Sequence, residues 1–242
     1  MRKLILIRGL GRDQRHWGGL LAEIQKELKS FEVECVDLVG FGTFSELKVP
    51  LNIAEMTEAL LEELPGEPVD ILGLSLGAMV VMDLVDRYPE RVNKYILMNS
   101  SLSSLSRASE RFNLKLLAPI LKQLVSSTPE SIERLITEVV FSHDKKAQQE
   151  AFKHWTQIQA QTPISKAAFL RQIYAASQYK GPKKLKKSGL VLTGVKDKLV
   201  STNCSNEIAK YYGLPLLSHP QAGHDPLDAA DWFLNQLQNF FQ

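Results

Sequence analysis

The chain has 242 residues, 44% hydrophobic and 23% charged, with 29 Lys plus Arg against 27 Asp plus Glu and a formal net charge of +2 at pH 7. Such a length suits one large α/β core with an insertion rather than two independent domains, and the mixed charge excludes an extended basic field for nucleic acid. Two cysteines, Cys35 and Cys204, lie outside any CxxC or Cys/His cluster, which excludes a disulfide framework and a structural zinc.

Strand-like and helical runs alternate from the start. The apolar run Leu4 to Ile7 is too short for a signal-peptide core and reads as part of a first strand, Lys3 to Ile7. Trp17 to Leu28 follows with Leu20, Leu21, Ile24 and Leu28 on one helical face, then a strand at Glu32 to Leu38. Asn52 and Glu55 form a capping box ahead of a helix over Ile53 to Leu64. A strand at Val69 to Leu72 runs into a helix over Ala78 to Tyr88, with Met79, Val80, Leu84 and Val85 at helical spacing, and Lys94 to Met98 is the next strand.

From about Ser100 to Lys180 the alternation stops. Leu114 to Val125, Glu130 to Phe141, Lys145 to Ile158 and Ser165 to Ser177 read as helices separated by Pro119, Pro129 and Pro163. The basic run Lys180 to Lys187 returns the chain to strands at Gly189 to Thr193 and Leu214 to Leu217, and a terminal helix closes it. The expectation is an α/β fold, with a mainly parallel sheet of about six strands flanked by helices. Residues 1–100 and 181–242 form the core, and 101–180 an inserted helical cap. No segment reaches the ~20 apolar residues of a membrane span, so a soluble, cytoplasmic protein is expected, and nothing calls for a metal or other cofactor.

The chemistry centres on Gly73-Leu74-Ser75-Leu76-Gly77 between strand and helix. A serine in so sharp a turn needs glycine two places to either side, because a side chain there would strike neighbouring backbone. The turn also sets Ser75 at a helix N-terminus, where free amides and the helix dipole favour negative charge. A serine hydroxyl needs a base, and the base needs an acid to hold its tautomer. His224, in Ala222-Gly223-His224-Asp225, and Asp197, after a strong strand, follow in the order Ser, Asp, His. Asp225 and Asp228 compete as the acid, but Asp225 is expected to point away from the ring and Asp228 to charge the first turn of the terminal helix. His219 is the alternative base, and His16, His143 and His154 read as structural or solvated. The amides of Leu76 and Leu10 are the expected oxyanion donors.

Together Arg8-Gly9-Leu10 to Trp17, Val36 to Gly42, Gly73 to Gly77, Tyr88 to Val92, Gly194 to Asp197 and Gly223 to Asp225 resemble the α/β-hydrolase superfamily across nearly the whole chain. Within it the layout is similar to small bacterial carboxylesterases, including the pimeloyl-acyl-carrier-protein methyl esterase group. The resemblance implies a serine hydrolase acting on a small-molecule carboxylic ester. Thioesterase, carbon–carbon hydrolase and cofactor-free haloperoxidase chemistry use the same parts, and a non-catalytic ligand-binding protein shares the fold.

Two departures stand out. The chain has no room for the opening antiparallel strands, and Arg8 occupies a position where members usually carry His. Arg8 either reaches solvent, pairs with Asp13 or Asp37, or stands as a fixed cation beside the acyl pocket that favours an acid-bearing substrate. Trp17 and Phe41 are candidate pocket walls. Arg107, Arg111, Lys115 and Lys122 are a candidate surface for an acidic acyl-carrier protein, or simply a solvated face.

Overall fold

A computed structural model describes residues 1–116, 118–119 and 128–242. Six strands, β1 (Arg2–Ile7), β2 (Phe31–Cys35), β3 (Val69–Leu74), β4 (Val92–Met98), β5 (Ser188–Gly194) and β6 (Leu216–His219), form one sheet in the order β2-β1-β3-β4-β5-β6. Every neighbouring pair is parallel. β3 lies near the centre with β1 and β4 beside it.

Both faces are covered, which is why the central strands read as continuous apolar runs rather than alternating ones. Ile5, Ile7, Ile71, Tyr95 and Leu97 pack to one side with α2 (Ile53–Glu63) and α3 (Leu76–Arg87). Their strand neighbours Leu4, Leu6, Leu72, Ile96 and Met98 pack to the other with α1 (Gly19–Glu27) and the terminal helix. Asn52 caps α2 by accepting the Glu55 amide at 2.8 Å, but Glu55 answers by taking the Asn52 side-chain amide, not its backbone NH. The strand expected over Glu32 to Leu38 ends at Cys35, where the chain turns away to present Asp37 to the amides of Gln14 and Thr43.

Between β4 and β5 the described residues contain helices and no strand: a short α4 (Ala108–Arg111), then α5 (Pro129–Val140), α6 (Lys145–Gln161) and α7 (Lys166–Gln178). Most of the helix expected over Leu114 to Val125, with Lys122, lies outside the described residues. α8 (Thr202–Tyr212) and α9 (Ala230–Phe241) complete the chain. Among the described residues no helix is long and apolar enough to cross a membrane. Both thiols are free, and burial pushes Cys35 up to about 12.

Candidate active site

Ser75 joins β3 to α3 with φ +57° and ψ −113°, a conformation that costs a non-glycine residue energy and that its neighbours must impose. A Cβ at Gly73 would lie 2.5 Å from the Ala78 nitrogen, and one at Gly77 would lie 2.6 Å from the Arg8 carbonyl. The Ser75 amide donates to the Met98 carbonyl at 2.8 Å, and Ser100 Oγ donates to the Ser75 carbonyl at 2.9 Å, so β4 holds the strained turn. Gly9 leaves room for the nucleophile candidate itself, since a Cβ there would stand 3.0 Å from Ser75 Cβ.

His224 and Asp197 come from the loops after β6 and β5. His224 Nδ1 and Asp197 Oδ2 are 2.6 Å apart, and both side chains are almost fully buried. Asp197 is fixed in turn, because its Oδ1 accepts from the amides of Leu199 and Val200 at 2.8 and 3.0 Å. The histidine loop is fixed by α5: the His224 amide donates to the Val140 carbonyl at its end. The loops can meet because position 194 is glycine, since a Cβ there would stand 2.1 Å from the Gly223 carbonyl, while a Cβ at Gly223 would stand 2.5 Å from the Val140 carbonyl.

Sequence reasoning missed Asn99. Its φ is +49°, and its buried side chain bridges the two loops: Oδ1 accepts the Gly194 amide at 3.0 Å and Nδ2 donates to the His224 carbonyl at 2.7 Å. Asparagine directly after a strand is the signal that was there to read, because Asn tolerates the left-handed region better than most residues.

The competing acids do other work. Asp225 pairs with Arg8 at 2.5 Å, replacing the expected Asp13 or Asp37 partner, and both side chains are buried. Asp228 does not serve the terminal helix as expected. It is fully buried and accepts from the amides of Gly223, Ser142, His143 and Asp144, tying the histidine loop to the chain after α5. Four donors on one carboxylate explain how an acid sits there without a cation. His219 packs against His143 and Trp232, away from Ser75.

Two chambers meet at Ser75, and both are also lined by Leu10, Phe112 and Leu199. The smaller, about 90 Å3, adds Arg8, Arg12, Trp155, His224 and Asp225. The larger, about 290 Å3, adds Leu76, Met79, Asn99, Arg111 and Ile173. Leu76 is the first residue of α3, so its amide has no intrahelical acceptor. Leu10 and Leu76 therefore border the serine from the β1 loop and from the helix start. Trp17 and Phe41 line neither chamber: Trp17 is core, stacked on Phe233 with the Arg8 guanidinium over its ring, and Phe41 borders a separate polar cleft with Asp13 and Gln159. Tryptophan 17 was legible as apolar, but its depth was not.

Arg12, unremarked in the sequence, is buried with Glu133 of α5 in a two-bond pair of 2.9 and 2.7 Å and lies over the Trp155 ring. Among the described residues no group of three or more His, Cys, Asp or Glu side chains is arranged to hold a metal.

A model of the alpha/beta hydrolase family matches residues 4–236. The pimeloyl-[acyl-carrier protein] methyl ester esterase of Nitrosomonas europaea is 23% identical over 230 residues, covering 92% of this chain and 88% of its own. Two solved structures share the fold: an enol-lactonase from Burkholderia xenovorans, with TM-score 0.79 and 17% identity over 99% of this chain and 91% of that one, and a 2-hydroxy-6-oxo-6-phenylhexa-2,4-dienoate hydrolase from a Rhodococcus species, with TM-score 0.78 and 22% identity over 99% and 90%.

Proposed function

Because the chain belongs to the alpha/beta hydrolase family, we propose that it hydrolyses a carboxylic ester with Ser75 as nucleophile, His224 as base and Asp197 as the acid that orients it. The observation that carries this is the 2.6 Å contact between His224 Nδ1 and Asp197 Oδ2, with the ring on the wall of a chamber that also holds Ser75.

With Nδ1–H donated to Asp197, His224 Nε2 is left as the base. It takes the Ser75 proton as Oγ attacks the ester carbonyl, and the carbonyl oxygen becomes an oxyanion facing the amides of Leu76 and Leu10. One such donor typically contributes about 3 kcal/mol to the transition state. Collapse breaks the C–O bond, and the leaving alkoxide takes the proton from His224. A water deprotonated by His224 then attacks the acyl-enzyme, which releases the acid and restores Ser75. Arg8 serves this site by tying the Leu10 loop to the residue after His224 through Asp225.

A fluorophosphonate probe tests the reading. It should label the protein, and Ser75→Ala should abolish both labelling and hydrolysis of short p-nitrophenyl esters. Absence of labelling in the wild type would leave the non-catalytic, ligand-binding reading.

A carrier-bound ester is the second reading. The relative from Nitrosomonas acts on one by its name, and Arg107 and Lys115 stand exposed beside the larger chamber's Ala108 and Leu114. Faster turnover of an acyl-carrier-bound ester than of the free ester, diminishing with added salt, supports it.

A further inference from the structure

The two chambers differ in charge, and the difference bears on which ester the site takes. In the smaller chamber each cation has its own carboxylate: Arg8 pairs with Asp225 and Arg12 with Glu133. Among the described residues Arg8 Nε and Nη1 have no hydrogen-bond partner, but the charge of Arg8 is already balanced by Asp225, so a further carboxylate there would find no spare positive charge. In the larger chamber Arg111 is the sole charged residue among the described lining, and its partners are all neutral. Its Nη1 donates to the Ser177 carbonyl at 2.8 Å, its Nη2 to the Ala176 carbonyl at 2.6 Å, and its Nε to Ser101 Oγ at 3.4 Å. That uses three of the five guanidinium N–H groups and leaves one on each terminal nitrogen.

No carboxylate described in the structure pairs with Arg111, and residues 117 and 120–127 contain no Asp or Glu. Burial pulls the guanidinium below its ordinary range, against a weaker opposing influence of the Cys204 thiol. A half-buried cation without a counter-ion is costly, and an anionic ligand removes the cost.

The chambers also differ in their relation to the reaction. On the hydrolase reading above, which this inference rests on, His224 returns its proton to the departing alcohol, so the alcohol arm lies on the His224 side. That is the smaller chamber, and the acyl arm falls to the larger one. We propose that the larger chamber is an acyl subsite for esters whose acyl arm carries a carboxylate, received by the free N–H groups of Arg111. The substrate class is then a half-ester of a dicarboxylic acid with a small alcohol. Apolar walls at Met79, Phe112 and Ile173 take the methylenes, and Arg111 pairs with the distal acid. The acid-bearing preference expected of Arg8 thus belongs to Arg111, because Asp225 already neutralises Arg8.

The test compares monomethyl dicarboxylates of four to eight carbons with methyl alkanoates of matched length, following acid release. Wild type should favour the dicarboxylate half-ester in kcat/KM by about tenfold or more at its best length, the scale of a charge-assisted pair. Arg111→Met should erase that ratio and Arg111→Lys should keep part of it. A purely structural role, holding the end of α7, would lower both series together and leave the ratio unchanged, which overturns the proposal. So does a wild-type preference for the neutral series, a result that stands even if Arg111→Met does not fold. Calorimetric binding of both series to Ser75→Ala separates this proposal from the hydrolase reading. Selective binding of the half-esters supports the subsite even without turnover, and equal or absent binding overturns it.

Discussion

Asn99 donates its side-chain amide to the carbonyl of His224 at 2.7 Å while standing at φ +49°. Its other side-chain atom receives the Gly194 amide, so a single residue after β4 holds the loop carrying His224 against the loop leading to Asp197. Asn99→Ala leaves the buried Gly194 amide without its acceptor, which costs about 1–3 kcal/mol of stability. The expected outcome is a lowered kcat with KM changed less, read by steady-state kinetics beside chemical denaturation. Wild-type kcat in a folded Asn99→Ala protein would remove the positioning role.

Asp197→Asn keeps the shape of the carboxylate but gives His224 a donor where it needs an acceptor. The ring then presents the wrong tautomer to Ser75, and turnover should fall by roughly four orders of magnitude at neutral pH with the fold retained. Stopped assays on a protein with wild-type circular dichroism check this. Near-wild-type turnover would return Asp225 or another group to contention.

Arg12 and Glu133 join the β1 loop to α5, and Glu133 is 0% exposed. Glu133→Ala leaves a buried guanidinium unpaired and should destabilise the protein by about 3–5 kcal/mol, whereas Arg12→Met with Glu133→Leu should recover most of the loss. Urea unfolding of the two variants beside the wild type measures it. Equal destabilisation in the single and double variants would show that packing, not charge pairing, sets the cost.

His16 supplies an acid-sensitive contribution. Burial first, then the neighbouring Arg12 charge, lower its pKa to about 4, and its Nδ1 lies 3.1 Å from the Asp13 amide as an acceptor. Between that value and the ~6.5 of an unfolded histidine, the unfolded chain binds the extra proton. Stability is therefore complete above about pH 6.5 and falls as pH drops toward 4, by on the order of 3 kcal/mol. His16→Phe should flatten the stability curve across that window. An unchanged slope in the variant would assign the acid loss to other groups.

The strand and helix alternation was legible because both regularities are local. Period and apolar run length identify β1, β3, β4 and β5 within a residue or two at most ends. The glycines around Ser75 were legible for the same reason, since the turn's sterics act over four residues. What misled was the assignment of partners. Arg8 was matched with acids near it in sequence, whereas its partner is 217 residues away. Asp228 was read as a local helix charge, but its carboxylate gathers amides from a loop more than eighty residues upstream.

The sequence by itself determined the α/β alternation, the elbow at Ser75, and the order in which an acid and a histidine follow it. These are properties of short windows, where backbone sterics and periodicity decide. Only the tertiary structure decided that Asn99 clamps both loops, and that Arg8 is neutralised while Arg111 is not. Charge compensation is a through-space property of groups brought together by burial, and the chain order of those groups carries no trace of it.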